Sequence, residues 1–407
     1  MADNTLTKDE DYTVQYDNNR ELGMGIVTIT GIGKYTESIQ KEFQIRLRSP
    51  EIAVSNDDAS GKPVITWTTV QGAMEYELQR SLFETDGFET IANLSDNYYA
   101  DNAAEAKENY YYRVCAVREE EKSEYAAASV ISKLAKVTGL KVVNVAASGK
   151  PKLTWTAVQS ADKYEVYRST KQDGSYSKIY TTKNATFTNT GAAAEKKYYY
   201  KVCAISVDNS DANGAVCDAV SIVCDLAKVT GLKAVNVAAS GKPKLTWTAV
   251  QGADKYDVYR STKQNGTYSK IYTTKNTTYT NTGATAEKKY YYKVRAISTD
   301  NSNAHGALSG YVVRTCDLAR PVISVARNSA GKPKITWAKV KGADKYEIYR
   351  STKQNGTYSK IYTTKNTTYI NTKAAAGKTY YYKVRAISTS NSGAHSAYST
   401  VKKCTSK

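Results

Sequence analysis

The side chains whose type and spacing could do chemistry in this sequence are tyrosines. The stretch KKYYYKVCAI (196 to 205) sets three side by side and returns as KKYYYKVRAI (288 to 297), KTYYYKVRAI (378 to 387) and ENYYYRVCAV (108 to 117). A row of tyrosine rings with a basic residue beside it could stack against a ligand and attract negative charge. It could equally be the way one building block makes a strand.

Period-two alternation separates the rings. In an extended strand Tyr198 and Tyr200 share a face with Val202 and Ala204, while Tyr199, Lys201 and Cys203 share the other. The first set reads as core. Only the second can touch anything outside, so the candidate contacts are Tyr111, Tyr199, Tyr291 and Tyr381, with Lys201, Lys293 and Lys383 beside them. Their rings could stack on sugars, or simply cover a neighbouring strand through cross-strand pairing.

Other constellations point less far. DNSDANG (208 to 214) places Asn209, Asp211, Asn213 and Gly214 like an oxygen-rich cation loop, but the twelfth position, where a bidentate Glu belongs, holds Val220. The later copies put His305 and His395 where Asn213 stands. A hairpin turn explains these residues without a cation. Six cysteines, at 115, 203, 217, 224, 316 and 404, form no CxxC pair, and only two His are present, so no metal or dithiol motif is encoded. Alternation puts Cys115 and Cys203 on the outward face, with Cys203 across a hairpin from Cys217 as a bond or as a free thiol. No phosphate-cradling loop, HExxH or GxSxG occurs, and the acidic run REEEKSE (118 to 124) reads as a solvated turn. The expectation is a chain that is not an enzyme and takes no cofactor.

The elements that position these residues follow from self-comparison. Trp67, Trp155, Trp247 and Trp337 are spaced 88, 92 and 90, and the triplets beginning at Tyr110, Tyr198, Tyr290 and Tyr380 move in step with them. Four copies of one unit result, at 48–134, 135–226, 227–318 and 319–407. Within the second copy, period two predicts strands at 139–145, 150–158, 163–169, 176–182, 185–190, 198–205 and 219–224, separated by turns such as ASGKP and KQDG. Seven short strands in about 90 residues predict an all-β fold of tandem antiparallel β-sandwiches.

On LTW, KYEVYRS and YYYKVCA, each copy resembles the fibronectin type III module, in the version strung along surface and secreted proteins of Clostridia-like Gram-positive bacteria. The resemblance implies that Tyr198 is a corner tyrosine whose hydroxyl closes onto backbone a few residues upstream. Residues 1–47 resemble the second half of a bacterial immunoglobulin-like module, with Thr36-Glu37 where a Thr-Gly pair is common. Met1 then reads as a truncation point. The implied role is a spacer of an extracellular or cell-surface protein, presenting another domain away from the cell wall; the alternative is an adhesive or carbohydrate-binding region.

Charge sharpens the second possibility. Net charge runs from −11 over residues 1–134 through +4 and +9 to +16 over 319–407. A basic end attracts polyanions, here anionic cell-wall polymers or glycans, or else a host surface protein. No groove-reading helix or stacking sheet marks specific nucleic-acid binding, and no apolar run of about 18 residues spans a membrane. The linkers hold no Gly/Ser-rich run, so a monomeric, semi-rigid rod on the order of 120 to 150 Å is expected.

Overall fold

The computed structural model describes residues 5–407. Among the described residues the extended elements are short β-strands paired antiparallel, and the helical content is single 3₁₀ turns, at Ser210–Ala212 and Ser392–Ala394. Among the described residues no helix is long and apolar enough to cross a membrane. The chain divides into two compact units. One comprises Met1–Lys141, Leu153–Phe187 and Tyr199–Val220; the other comprises Val142–Lys152, Thr188–Tyr198 and Ser221–Lys407.

The fourth repeat shows how sequence becomes architecture. Ile323–Arg327, Pro333–Trp337 and Thr368–Ile370 form a three-stranded sheet. Ser359–Thr364, Lys345–Ser351, Thr379–Ile387 and Lys402–Thr405 form a four-stranded one in that order. Each sheet is apolar on one face only, so the two faces must cover each other. Ile335, Trp337, Tyr346, Ile348, Tyr382 and Val384 meet between them, all buried. The third repeat repeats the arrangement around Leu245, Trp247, Tyr256, Val258, Tyr292 and Val294. The first builds it around Ile65, Trp67, Tyr76 and Tyr112, adding the two-residue strand Glu121–Lys122 to its larger sheet.

The seven strands predicted in the second repeat are all present, five with trimmed ends, one unchanged and one starting a residue earlier: Lys141–Asn144, Pro151–Thr154, Lys163–Ser169, Ser177–Thr182, Thr186–Thr188, Lys197–Ile205 and Val220–Val223. Cys217 lies in the loop before the last strand. In every repeat the pairing shifts register once, so that Ile361 lies unpaired between Lys360, opposite Tyr349, and Tyr362, opposite Ile348. This is a β-bulge, which bends the strand and re-aims its side chains.

Buried tyrosines demand partners for their hydroxyls, and the fold supplies them locally. The hydroxyl of Tyr198 accepts from the Ala193 N–H at 3.1 Å, and Tyr110, Tyr290 and Tyr380 do the same five residues upstream. This is the corner the resemblance implied. Tyr76, Tyr164, Tyr256 and Tyr346 each accept from an N–H six residues upstream at 2.8 Å. Tyr292 and Tyr382 accept from the amides of Asn281 and Asn371, where the first repeat instead has Tyr112 donating to Asp101. Removal from water pushes Tyr292 and Tyr382 up to about 12.

Among the described residues no second sheet packs over the N-terminal one. Tyr12–Asp17, Gly23–Gly31 and Ser38–Ile45 pair with the second strand central. Phe43 packs so closely over Gly25 that a Cβ there would meet its ring at 2.6 Å, yet Ile29 and Ile39 stay 40% and 55% exposed.

Tyr346 gives a direct test. Its ring also meets Trp337 edge-on at 5.3 Å, and Tyr346→Phe keeps that contact while stranding the buried Val340 N–H. The fourth repeat should lose about 1–3 kcal/mol in chemical denaturation. Tyr380→Phe should cost less, because the Ala375 N–H it frees can reach water.

Candidate functional site

Tyr111, Tyr199, Tyr291 and Tyr381 lie half-buried on the outer face of the larger sheet, and Lys201, Lys293 and Lys383 lie half-buried beside them. The structure brings each lysine onto a ring from the neighbouring segment rather than leaving it in open solvent. Lys201 Nζ is 4.6 Å from the Tyr176 centroid and Lys293 Nζ is 4.4 Å from that of Tyr268. Lys383 Nζ lies 4.4 Å over Tyr358 and 4.1 Å over Tyr398. In the first repeat Arg113 fills this place between Phe88 and Tyr125, at 4.2 and 4.4 Å. Such contacts contribute about 0.5–2 kcal/mol each. Tyr291 meets Tyr311 edge-on at 5.7 Å.

At the centre of each array stands a carboxylate from the middle of the sheet: Glu77, Glu165, Asp257 or Glu347. Glu347 accepts from Arg385 at 2.8 Å, Tyr349 at 2.8 Å and Lys360 at 3.1 Å, with its side chain only 13% exposed. Burial by itself would raise its pKa, but these three donors outweigh burial and hold it at about 2. Glu165 is lowered against burial in the same way by Lys178 and Tyr167. Chemically, the array binds its own charges: the carboxylate is saturated with donors and the lysines are capped by rings. The carboxylates and Tyr176, Tyr268 and Tyr358 were missed in the sequence. Their signal is the recurring (S/T)YSKI segment, where the tyrosine immediately precedes, and the lysine stands second in, the strand that pairs with the triplet strand's neighbour.

The cysteines depart from alternation. Cys115 and Cys203 were expected outward, but they are 0% and 5% exposed because the following loop folds over them. All six thiols are free. Cys203 Sγ donates to the Gly214 carbonyl at 3.0 Å, whereas Cys217 Sγ accepts from the Val202 N–H, one residue out of the expected register. Burial pushes Cys203 up to about 11, which leaves it an inert thiol.

The 208–214 segment is neither a cation loop nor a plain hairpin turn. It winds into the 3₁₀ turn Ser210–Ala212, capped by Asn209 accepting from the Asp211 N–H. Asn213 Oδ1 accepts from the Ser206 N–H, and the Nδ1 atoms of His305 and His395 accept from Ser298 and Ser388 in its place. Among the described residues no cluster of three His, Cys, Asp or Glu could hold a metal. The loop instead grips the preceding linker. The N–H groups of Leu134, Leu226 and Leu318 donate to Ala212, Ala304 and Ala394 at 2.9 to 3.0 Å. The amides of Asn301 and Asn391 donate to the Glu195 and Glu287 carbonyls of the repeat before, at 2.9 Å. Leu226 and Leu318 are themselves fully buried in the core of the repeat that follows them.

Comparison with known proteins gives the chain its relatives. No family profile matches it. An amylopullulanase of Thermoanaerobacter thermohydrosulfuricus is 42% identical over 85 residues, 21% of this chain; the chain spans 6% of that relative's length. An Fn3-like protein of Clostridium thermocellum is 40% identical over 21% of this chain and 86% of its own, with a TM-score of 0.20. The FN1–FN3 domains of chicken CNTN1 are 14% identical, over 66% of this chain and 98% of theirs, with a TM-score of 0.23.

The carboxylate array carries a pH signature. A carboxyl whose folded pKa lies below its ordinary 4.5 stabilises the fold above that value and loses the contribution as pH falls toward 2. Glu347→Gln should therefore flatten the acid limb of fourth-repeat stability between pH 4.5 and 2, removing at most about 3 kcal/mol. An acid limb identical to that of the unsubstituted chain would refute the assignment.

Proposed function

The chain belongs to the fibronectin type III family, and from that premise we propose that it is the non-catalytic spacer of a cell-surface or secreted bacterial protein. The modules we assign are 48–134, 135–226, 227–318 and 319–407, behind a partial immunoglobulin-like module at 1–47. Their task is to hold a partner domain at a set distance from the wall.

The observation that carries this reading is the construction of the joints. A tether needs only a soluble linker, but here each linker leucine is buried and its N–H is bonded to the next repeat. Between the third and fourth repeats, Ser388 and Ser390 also donate to the Glu287 carboxylate, the second at 2.9 Å. Between the first and second, Lys107 pairs with Asp162 at 2.8 Å. Burying one leucine is worth about 2 kcal/mol, enough with these bonds to restrain a hinge. A match that takes up 6% of an amylopullulanase supports an accessory part of a larger protein.

Spin labels at Lys263→Cys and Lys353→Cys, in a Cys404→Ser background, report on the joint between the third and fourth repeats. A single narrow distance distribution, unchanged from low to physiological salt, is expected. Leu318→Ala should broaden it and cost about 2–5 kcal/mol. A distribution as broad as that of a flexible linker in the unsubstituted chain would overturn the spacer reading.

A further inference from the structure

The outer array is closed on itself, but the opposite edge of the fourth sandwich is open. There Ser359–Thr364, the edge of one sheet, runs beside Thr368–Ile370, the edge of the other. Between them lies a groove of about 670 Å³, lined by Arg350, Tyr362, Thr368 and Lys373 among others. We propose that this groove binds an anionic polysaccharide, with Tyr362 as the stacking platform and Arg350 and Lys373 as the anion contacts.

The bulge at Ile361 turns Tyr362 toward the sandwich edge, where its ring lies flat on Tyr369, centroids 4.7 Å apart and planes 22° apart. Tyr362 is nonetheless 50% exposed, so one face is fixed and the other is offered to solvent. A flat aromatic face held in place suits the C–H face of a pyranose ring and loses little rotamer freedom on binding. Around it stand hydroxyl and amide groups: Thr364, whose oxygen accepts from the Asn366 N–H and keeps its own O–H to donate, with exposed Asn366, Thr368 and Thr372. The Arg350 guanidinium is held 4.8 Å over the Tyr380 ring. Lys373 adds the second cation, in a repeat whose net charge is +16.

The proportions select the ligand. A nucleic acid would bring a phosphate with every base and reward a run of cations and rings. This groove offers one exposed ring, two cations and a larger number of hydroxyl and amide groups, the proportions of a hydroxyl-rich polymer with intermittent negative charge. The other repeats serve as internal controls. The second and third have the stacked pair, Tyr180 on Phe187 and Tyr272 on Tyr279, but Gly191 and Gly283 where Lys373 stands. The first has Ala92 at the platform position.

The test is titration of the full chain with a hexamer of galacturonic acid, with neutral maltohexaose and a single-stranded oligonucleotide in parallel. The uronate should bind at least fivefold tighter than either. Tyr362→Ala should weaken it at least tenfold, Tyr362→Phe should not, and Lys373→Gly should weaken it several-fold while reducing the salt dependence. Tyr272→Ala should leave affinity unchanged. The proposal falls if the uronate does not bind, if Tyr362→Ala binds it like the unsubstituted chain, if maltohexaose binds equally well, or if the oligonucleotide binds tighter. None of these outcomes bears on the distance across the joint, so this groove and the spacer reading stand or fall separately.

Discussion

The structure depends on one small placement, a buried linker leucine, which before the third and fourth repeats belongs to the core of the repeat after it. Leu226 and Leu318 lie under the following sandwich, against Gly252 and Gly342, where a Cβ would come within 3.3 and 3.1 Å of their side chains. A sandwich closes well along its length but is open at its ends. The linker leucine closes one end, and the loop after the triplet strand folds back to bind that linker's N–H. Each module is thus completed by a residue that the chain supplies before entering it. Each linker is tied by a buried leucine and a backbone hydrogen bond, not by Pro-rich stiffening.

The outer face of the larger sheet solves a different problem. A half-exposed sheet rich in lysine and tyrosine would be costly to leave unorganised, because long basic side chains lose entropy when they are fixed and repel one another when they are not. A carboxylate in the middle of the sheet resolves both difficulties. It draws the basic side chain of the next strand inward, and the tyrosines beside it serve as hydrogen-bond donors and as rings under the cations. The first repeat keeps the plan with Arg113, Glu77 and Tyr125, although its surrounding sequence has drifted furthest from the others. The arrangement therefore tolerates exchange of each partner for one of the same chemical kind.

Other differences between the repeats leave these two devices intact. Asn213 gives way to His305 and His395 without loss of the backbone contact, since an imidazole nitrogen accepts as an amide oxygen does. Gly191 and Gly283 give way to Lys373 at the open edge, where space and solvent permit a long side chain. Near-identical modules can in this way carry one shared scaffold and still present different surfaces along the chain.

The sequence by itself determined the repeat, the strand positions and the buried tyrosines. Those features follow from period-two alternation and from a landmark returning every 90 residues, both of which are local or self-referential. The corner hydroxyl was legible for the same reason, since its partner stands five residues away. Only the tertiary structure decided what lies over each strand. Cys203 faces outward by alternation yet is buried, because residues 213–217 fold across it. Lys201 looks free beside Tyr199 but rests on Tyr176, a ring brought in from another strand's approach. The 208–214 loop reads as a hairpin turn and instead winds into a 3₁₀ turn whose Ala212 carbonyl accepts from the linker N–H of Leu134. Alternation tells which way a side chain points; what it meets there is set by loops that are distant in sequence and carry no period.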